Sequence, residues 1–216
     1  MMTNEAFINE IIAQYAKART LTFGDAGYNI RRGKSHSIAG IAEDLFATLI
    51  AQKLKDKNLL FLVNKVFSVR IPGVKRAKSF QPDIAIVKNN VLTHIFEIKM
   101  DLGWNRNPKQ YLIEKNNFIQ QMKDHALKPW FHKTDEVPIE VSKNLAIQVV
   151  VLSGKNIGQK KLDRIQLDIE PLENIELYIL SNGMHLNFYR EEERKDVIIE
   201  HTEFDRLYQD TMTYLP

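Results

Sequence analysis

The sequence contains no cysteine among its 216 residues. This absence excludes disulfide bonds and metal sites built on thiolate ligands, and it suits the reducing cytosol, where disulfides are rare. Tryptophan is also scarce, with two residues, and no low-complexity tract or internal repeat is present. With 44% hydrophobic and 26% charged residues, the composition is that of a globular protein. We therefore expect a single cytoplasmic domain over residues 1–216.

Long apolar runs are absent too. No stretch reaches the roughly 18–20 uninterrupted apolar residues of a membrane span. The first 18 residues lack a basic segment followed by an apolar one, so they predict an amphipathic helix instead of a signal peptide. The net charge of +3 permits a polyanionic partner but does not require one.

The hydrophobic periodicity predicts an α/β fold. Helices are expected at 4–18, 37–56, 108–126 and 202–211, and strands at 58–70, 82–88, 91–99 and 144–154. The first strand is expected to be interrupted at Asn64 and Lys65, and a late β-hairpin is predicted around Ser181, Asn182 and Gly183. This order predicts a central mixed β-sheet flanked by helices.

The segment PDIAIVKNNVLTHIFEIK, residues 82–99, places ionisable side chains inside two apolar strands. Ionised groups are rarely fully buried unless something pairs them. Glu97 and Lys99 are two residues apart, so they share one face of a strand with Ile95. Asp83 opens the neighbouring strand. The segment therefore raises the question of whether Asp83 lies on the same face of the sheet as Glu97 and Lys99.

The register of the hairpin decides whether Asp83 joins this face. A two-residue turn at Asn89 and Asn90 sets Asp83 opposite Phe96, with the carboxylates on opposite faces. A three-residue connection sets Asp83 opposite Glu97. A functional cluster therefore predicts an odd-length loop or a bulge, whereas an ordinary hairpin predicts the plain two-residue turn.

A divalent cation would explain the pairing of Asp83 with Glu97. Two carboxylates a few ångströms apart repel each other, and a cation converts that repulsion into coordination. Mg²⁺ prefers oxygen ligands, keeps several waters and binds readily beside a phosphate. Lys99 would then orient or activate a water and neutralise charge in the transition state.

Pro82-Asp83, followed fourteen residues later by Glu97-Ile98-Lys99, resembles the PD-(D/E)xK nuclease superfamily, which has the restriction endonuclease-like fold. As in that family's αβββαβ core, the Asp opens one strand and the ExK closes the next, with a helix before and after. The resemblance covers about residues 37–152 and leaves 1–36 and 153–216 as flanking elements. It implies a metal-dependent endodeoxyribonuclease of restriction, defence or repair type, with DNA as partner and cleavage as a homodimer.

The resemblance also assigns roles to residues. Asp83 and Glu97 would bind one or two Mg²⁺ ions, with Mn²⁺ as a substitute, and the Ile98 carbonyl would be a further ligand. Lys99 would position the attacking water. Family members often carry an acidic residue on the first core helix near the metal. Glu43 matches that position and would assist the metal directly or through a water.

The helical periodicity around Glu43 points the same way. At 100° per residue, Ile50 lies within about 20° of Glu43 and Ala47 within about 40°. Glu43 therefore lies in the middle of a mostly apolar face, which is unusual for an ionisable residue. The alternative is a salt bridge at the edge of the core.

Other polar residues are weaker candidates for nucleic-acid contacts. Gln120 or Gln121 would match the polar residue that the family's next helix sometimes contributes, and Trp104 could stack on a base. Basic residues suited to phosphates occur in three groups: Arg31, Arg32 and Lys34; Lys75, Arg76 and Lys78; Lys155, Lys160 and Lys161. For each of these, the alternative is an ordinary solvated side chain or, for Trp104, a cover over the sheet end.

Two other functions remain open at this point. One is a catalytically inactive nucleic-acid-binding module on the same fold, although the intact Asp83, Glu97 and Lys99 argue against it. The other is a protein-interaction module in which Glu97 and Lys99 form an exposed pair. No GxxxxGK[ST] or Gly-x-Ser-x-Gly motif occurs, and the six histidines lack ligand spacing, so an NTPase motor, an esterase elbow and a zinc site are not predicted.

Overall fold

The computed structural model describes residues 1–23, 37–101, 103, 107–131, 137–155, 159–190 and 192–215. Within these residues the helices are α1 (Asn4–Phe23), α2 (Ala39–Leu54), α3 (Pro108–Asp124), α4 (Gln159–Ile169) and α5 (His201–Thr213). The strands are β1 (Leu59–Val63), β2 (Phe67–Val69), β3 (Lys78–Phe80), β4 (Ile84–Lys88), β5 (Val91–Asp101), β6 (Trp130–Phe131), β7 (Glu140–Val141), β8 (Ile147–Ser153), β9 (Ile175–Ile179), β10 (Ser181–Asn182) and β11 (Ile198–Ile199). None of the described helices is both long and apolar enough to cross a membrane.

The predicted mixed sheet flanked by helices is confirmed. The central sheet has the order β1-β4-β5-β8-β9, and the short β7 adds to β5. Strands β1, β4 and β5 pair antiparallel, whereas β5, β8 and β9 pair parallel. The expected αβββαβ order is formed by α2, then β1, β4 and β5 of the central sheet, then α3 and β8. The sheet then continues into β9, beyond the core boundary at residue 152.

The interruption predicted in the first strand is also confirmed, because β1 and β2 belong to different sheets. β2 pairs with β3 and β6 in a three-stranded sheet beside the central one. Asn64 follows β1 with a left-handed backbone, φ 52°, which Asn tolerates better than most residues. This conformation turns the chain out of the central sheet.

The β4–β5 hairpin contains both a two-residue turn and a bulge. Asn89 and Asn90 have positive φ values of 50° and 62°, which suits a tight hairpin turn, and Lys88 pairs with Val91. The register then shifts, because Val87 pairs with Leu92 but Ile86 pairs with His94. The extra residue is Thr93, whose hydroxyl donates a hydrogen bond to the carbonyl of Ile86 at 3.1 Å.

The bulge reverses which face each later side chain of β5 occupies. Leu92 packs on the α3 side of the sheet, whereas Phe96, four residues later, packs on the side of α1, α2 and α5. Ile84 pairs with Phe96, so Asp83, one residue before β4, comes opposite Glu97. The bulge predicted by the functional hypothesis is therefore present, and it follows the two-residue turn expected of an ordinary hairpin.

Two hydrophobic cores cover the faces of the sheet. One joins α1, α2 and α5 to the sheet through residues such as Phe7, Phe46 and Phe96, all fully buried. The other joins α3 and α4 to the opposite face through Leu112, Ile119 and Val149 among others. Every residue of β8 is buried, as expected for a strand covered on both faces.

The predicted late hairpin is wrong. Its first segment became β9, the parallel fifth strand of the sheet, and residues 184–190 form turns and irregular structure. Instead, β10 pairs antiparallel with the more distant β11. The Arg19 guanidinium donates hydrogen bonds to the backbone carbonyls of Asn187 and Tyr189. A side chain from α1 therefore satisfies backbone groups that a strand partner would otherwise satisfy.

His94 makes the fold sensitive to acid. Its ring is buried, its Nε2 donates to the carbonyl of Thr211 at 2.9 Å, and burial lowers its pKa to about 4. Between about pH 6.5 and pH 4 the unfolded chain binds a proton that the folded chain does not, so stability falls as pH falls. Lowering the pH from 7 to 5 should cost about 2 kcal/mol through this group alone.

This pH dependence can be measured by urea unfolding of the wild type and of His94→Gln at pH 7 and pH 5. The variant should lose less stability than the wild type between the two pH values, by about the same 2 kcal/mol. An equal loss in both proteins would show that His94 does not carry the acid sensitivity.

Candidate active site

Asp83, Glu97 and Lys99 meet where β4 begins and β5 approaches its end. The Nζ of Lys99 lies 3.4 Å from Oδ2 of Asp83 and 3.1 Å from Oε2 of Glu97. The same Asp83 oxygen accepts a hydrogen bond from the backbone N–H of Ile98 at 2.6 Å. One ammonium group thus bridges the two carboxylates. The bulge at Thr93 makes this possible by setting Asp83 opposite Glu97.

Glu97 is held from the other side by α3. The hydroxyl of Tyr111 donates to Oε2 of Glu97 at 2.8 Å, and Nζ of Lys115 donates to Oε1 at 2.6 Å. Tyr111 and Lys115 are four residues apart, so they lie one above the other on the same face of the helix. Glu97 has only 4% of its surface exposed, and its carboxylate accepts hydrogen bonds from Lys99, Tyr111 and Lys115.

Glu43 on α2 is buried, with 8% of its surface exposed, and it lies among the apolar residues that the helix presents to the sheet. Its carboxylate accepts a hydrogen bond from the side-chain amide of Asn64. The backbone N–H of Asn64 in turn donates to the carbonyl of Asp83 at 2.9 Å. Asn64 therefore links the helix that carries Glu43 to the residue that begins the acidic cluster.

The electrostatics of the three carboxylates differ. Burial raises the pKa of Asp83, and Glu97 adds to that rise against the opposing effect of Lys99. Burial also raises the pKa of Glu43, with nearby Asp83 contributing in the same direction. For Glu97, burial raises the pKa, but Lys115, Lys99 and the hydrogen bond from Tyr111 together outweigh burial and hold the pKa below its ordinary value. Negative charge at Asp83 and Glu43 is therefore incompletely compensated by the protein.

This donor set fits a hard divalent cation. Asp83 and Glu97 each place an oxygen within 3.4 Å of a single ammonium nitrogen, so both are able to reach one shared cation. Carboxylate oxygens supplemented by waters are the ligands that Mg²⁺ prefers. In the described part of the chain, no three His, Asp or Glu side chains already stand grouped as a complete metal site. Waters or the substrate would have to supply the remaining ligands.

The structure places the other predicted residues as follows. Ile98 contacts the cluster through its backbone N–H, and its carbonyl remains a predicted ligand. Gln120 lies more than one turn beyond Lys115 on α3. Its side chain donates to Asp124 at 2.7 Å and accepts from Asn174 at 2.9 Å, so it is not among the residues that contact Glu97.

Five of the basic candidates are exposed: Lys75, Arg76, Lys78, Lys155 and Lys160. The remaining candidates lie outside the described residues or have undescribed side chains: Arg31, Arg32, Lys34, Trp104 and Lys161.

Three residues of the cluster were not predicted from sequence as site residues: Asn64, Tyr111 and Lys115. Asn64 stood out only as an interruption between two apolar segments. Tyr111 and Lys115 carry a usable signal, since residues four apart on the helix after an ExK strand point the same way towards it.

Comparison with known proteins adds no relative, because no protein-family model, curated protein or solved structure matches this chain. The geometry of the cluster is therefore the basis for assigning a function.

Proposed function

We propose that this chain is a metal-dependent nuclease of the PD-(D/E)xK superfamily that hydrolyses phosphodiester bonds in DNA. The observation that carries the proposal is the bulge at Thr93. An extra residue in a β-ladder interrupts pairing and is typically retained where it aims a side chain. Here it brings Asp83, Glu97 and Lys99 together, which a regular hairpin would not do.

In the proposed reaction, a water oxygen forms a bond to phosphorus and its proton passes to solvent, while the bond from phosphorus to the leaving oxygen breaks and that oxygen takes a proton from solvent. Asp83 and Glu97 would hold Mg²⁺, and Glu43 would add negative charge behind them. Lewis-acid stabilisation of the charge on the phosphoryl oxygens is what the cation supplies when bound. Lys99 would donate N–H groups to the attacking water and to the developing negative charge.

Tyr111 and Lys115 would act by fixing Glu97. A carboxylate with three donors has little freedom to rotate, so its oxygens keep one orientation towards Asp83 and Lys99. Such positioning by supporting hydrogen bonds is a common property of carboxylates that bind metal ions.

The nuclease activity can be tested with supercoiled plasmid in the presence of Mg²⁺ or Mn²⁺. The wild type should convert it to nicked and linear forms, and EDTA should stop the reaction. Asp83→Asn should reduce the rate at least about a hundredfold, because it removes one charge from the cation site. Asp205→Asn, which removes an exposed carboxylate from α5, is the matched control and should keep full activity.

The same assay separates the alternatives. Binding of DNA without cleavage under any divalent metal would support an inactive binding module and contradict the proposal. Absence of both binding and cleavage would favour a protein-interaction module. Cleavage that survives Asp83→Asn would place the chemistry somewhere other than this cluster.

A further inference from the structure

A cleft opens between β3 and α3, next to Glu97. Its volume is about 210 Å³, and the residues that line it are Lys78, Phe80, Tyr111, Glu114, Lys115 and Phe118. A smaller recess of about 30 Å³ shares Phe80, Lys115 and Phe118 with the cleft and extends to Glu97 and Pro82. Glu97, one residue of the carboxylate cluster, therefore lines a recess that borders the cleft.

The walls of the cleft are aromatic. Phe80 and Phe118 meet edge to face, with ring centroids 5.1 Å apart, and both rings are partly exposed. Tyr111 adds a third ring on the α3 side. Partly exposed aromatic rings that line a cleft are the surfaces on which unstacked bases bind, at about 1–3 kcal/mol per base.

The β3 side of the cleft carries positive charge. Nζ of Lys78 lies over the Phe118 ring, 4.3 Å from its centroid, whereas Nζ of Lys115 is paired with Glu97. Lys75 and Arg76 are exposed in the loop just before β3. Basic side chains beside an aromatic cleft are complementary to the phosphates that flank a bound base.

Glu114 is the acidic residue of the cleft. It is exposed, and its Oε1 accepts a hydrogen bond from the side-chain amide of Gln110 at 2.9 Å. A carboxylate repels phosphates, but it accepts hydrogen bonds from the exocyclic amino group of a base such as cytosine. Glu114 thus suits a base in the cleft, whereas Lys78 suits a phosphate next to that base.

We propose that this cleft binds one unpaired or extruded nucleotide of the strand that is cut. The inference rests on the proposed nuclease function and specifies its substrate. A base in a duplex has both faces covered by its neighbours, so only an unpaired or extruded base can stack on a ring of the cleft. On the face of Phe118 that Lys78 covers, the base would displace the ammonium towards a flanking phosphate.

Binding without metal tests this inference separately from cleavage. Fluorescence anisotropy in EDTA should compare a labelled single-stranded oligonucleotide with a blunt duplex of the same sequence. Phe118→Leu keeps an apolar side chain but loses the ring, and it should weaken single-strand binding about tenfold and duplex binding less than about twofold. Lys78→Gln should weaken single-strand binding and reduce its dependence on log[salt] by about 0.7. Lys57→Gln, which removes an exposed charge from the turn before β1, should change neither.

The outcomes are distinguishable. If Phe118→Leu affects single strand and duplex equally, or neither, the cleft does not bind an unpaired nucleotide. If Phe118→Leu fails to fold, Lys78→Gln replaces it, because Lys78 is exposed. An equal effect of Lys78→Gln on single-strand and duplex binding, or no effect on either, would then overturn the inference. If the cleft variants behave as expected but the wild type cuts neither oligonucleotide with Mg²⁺ or Mn²⁺, binding of a nucleotide in the cleft is supported and the nuclease proposal fails.

Discussion

Lys99→Ala is expected to lower the rate of plasmid cleavage at least about a hundredfold while leaving Mn²⁺ binding intact or stronger. The ammonium of Lys99 lies between the oxygens of Asp83 and Glu97, where it competes with a divalent cation. Its removal would take away the group proposed to orient the water, and it would also remove the competitor for the cation. Cleavage rates and a Mn²⁺ titration on the same preparation would measure both effects.

A control lysine separates this role from general loss of charge. Lys57→Ala removes an exposed lysine in the turn before β1 and should change neither cleavage nor metal binding. If Lys99→Ala lost Mn²⁺ binding together with cleavage, Lys99 would be supporting the geometry of the carboxylates, and its role in the reaction would be contradicted.

Glu97→Gln is expected to destabilise the protein by about 2 kcal/mol, whereas Asp83→Asn should change stability by less than about 0.5 kcal/mol. Glu97 is buried and accepts from Lys99, Tyr111 and Lys115, so a neutral amide would leave these partly buried donors poorly satisfied. Asp83 is more exposed, at 20% of its side chain, and an Asn oxygen still accepts the Ile98 N–H. Burial and the negative charge of Glu97 both disfavour the ionised form of Asp83, so the neutral Asn removes the repulsion from Glu97.

Urea unfolding at pH 7 would measure both variants against the wild type. The two substitutions are chemically equivalent, each replacing one carboxylate oxygen by an amide nitrogen, so each serves as the control for the other. Equal destabilisation would mean that the carboxylates share one environment, contrary to the asymmetry between them.

The sequence was sufficient to predict the sheet, its flanking helices, the shared face of Glu97 and Lys99 and the sheet-facing position of Glu43, whereas it left the place of Asp83 to the register of the hairpin. Alternation placed Glu97 and Lys99 on one face, and helical periodicity placed Glu43 towards the sheet. These are local patterns, and they depend only on the geometry of a strand and of a helix.

The position of the bulge was not predictable from those patterns. Nothing in VLTHIF alone singles out Thr93 as the extra residue. Its place follows from packing on two sides of the sheet, with Leu92 in one core and Phe96 in the other. The support for Glu97 from Lys115, eighteen residues further along the chain, is likewise a property of the folded sheet and α3.

The error in the late hairpin has a similar origin. Residues 184–190 alternate like a strand, but Arg19, about 170 residues earlier, binds their carbonyl groups in an irregular conformation. A contact of this range leaves no trace in a local pattern, so tertiary structure overrode the preference for a strand.

Binding of Mn²⁺ to the purified protein, followed by electron paramagnetic resonance, tests the central claim most directly. The wild type should bind Mn²⁺ saturably, Asp83→Asn should bind it at least about tenfold more weakly because it loses a charged ligand, and Asp205→Asn should match the wild type. Equal Mn²⁺ binding by the wild type and Asp83→Asn, or none by the wild type, would contradict the assignment of Asp83 and Glu97 as a metal site.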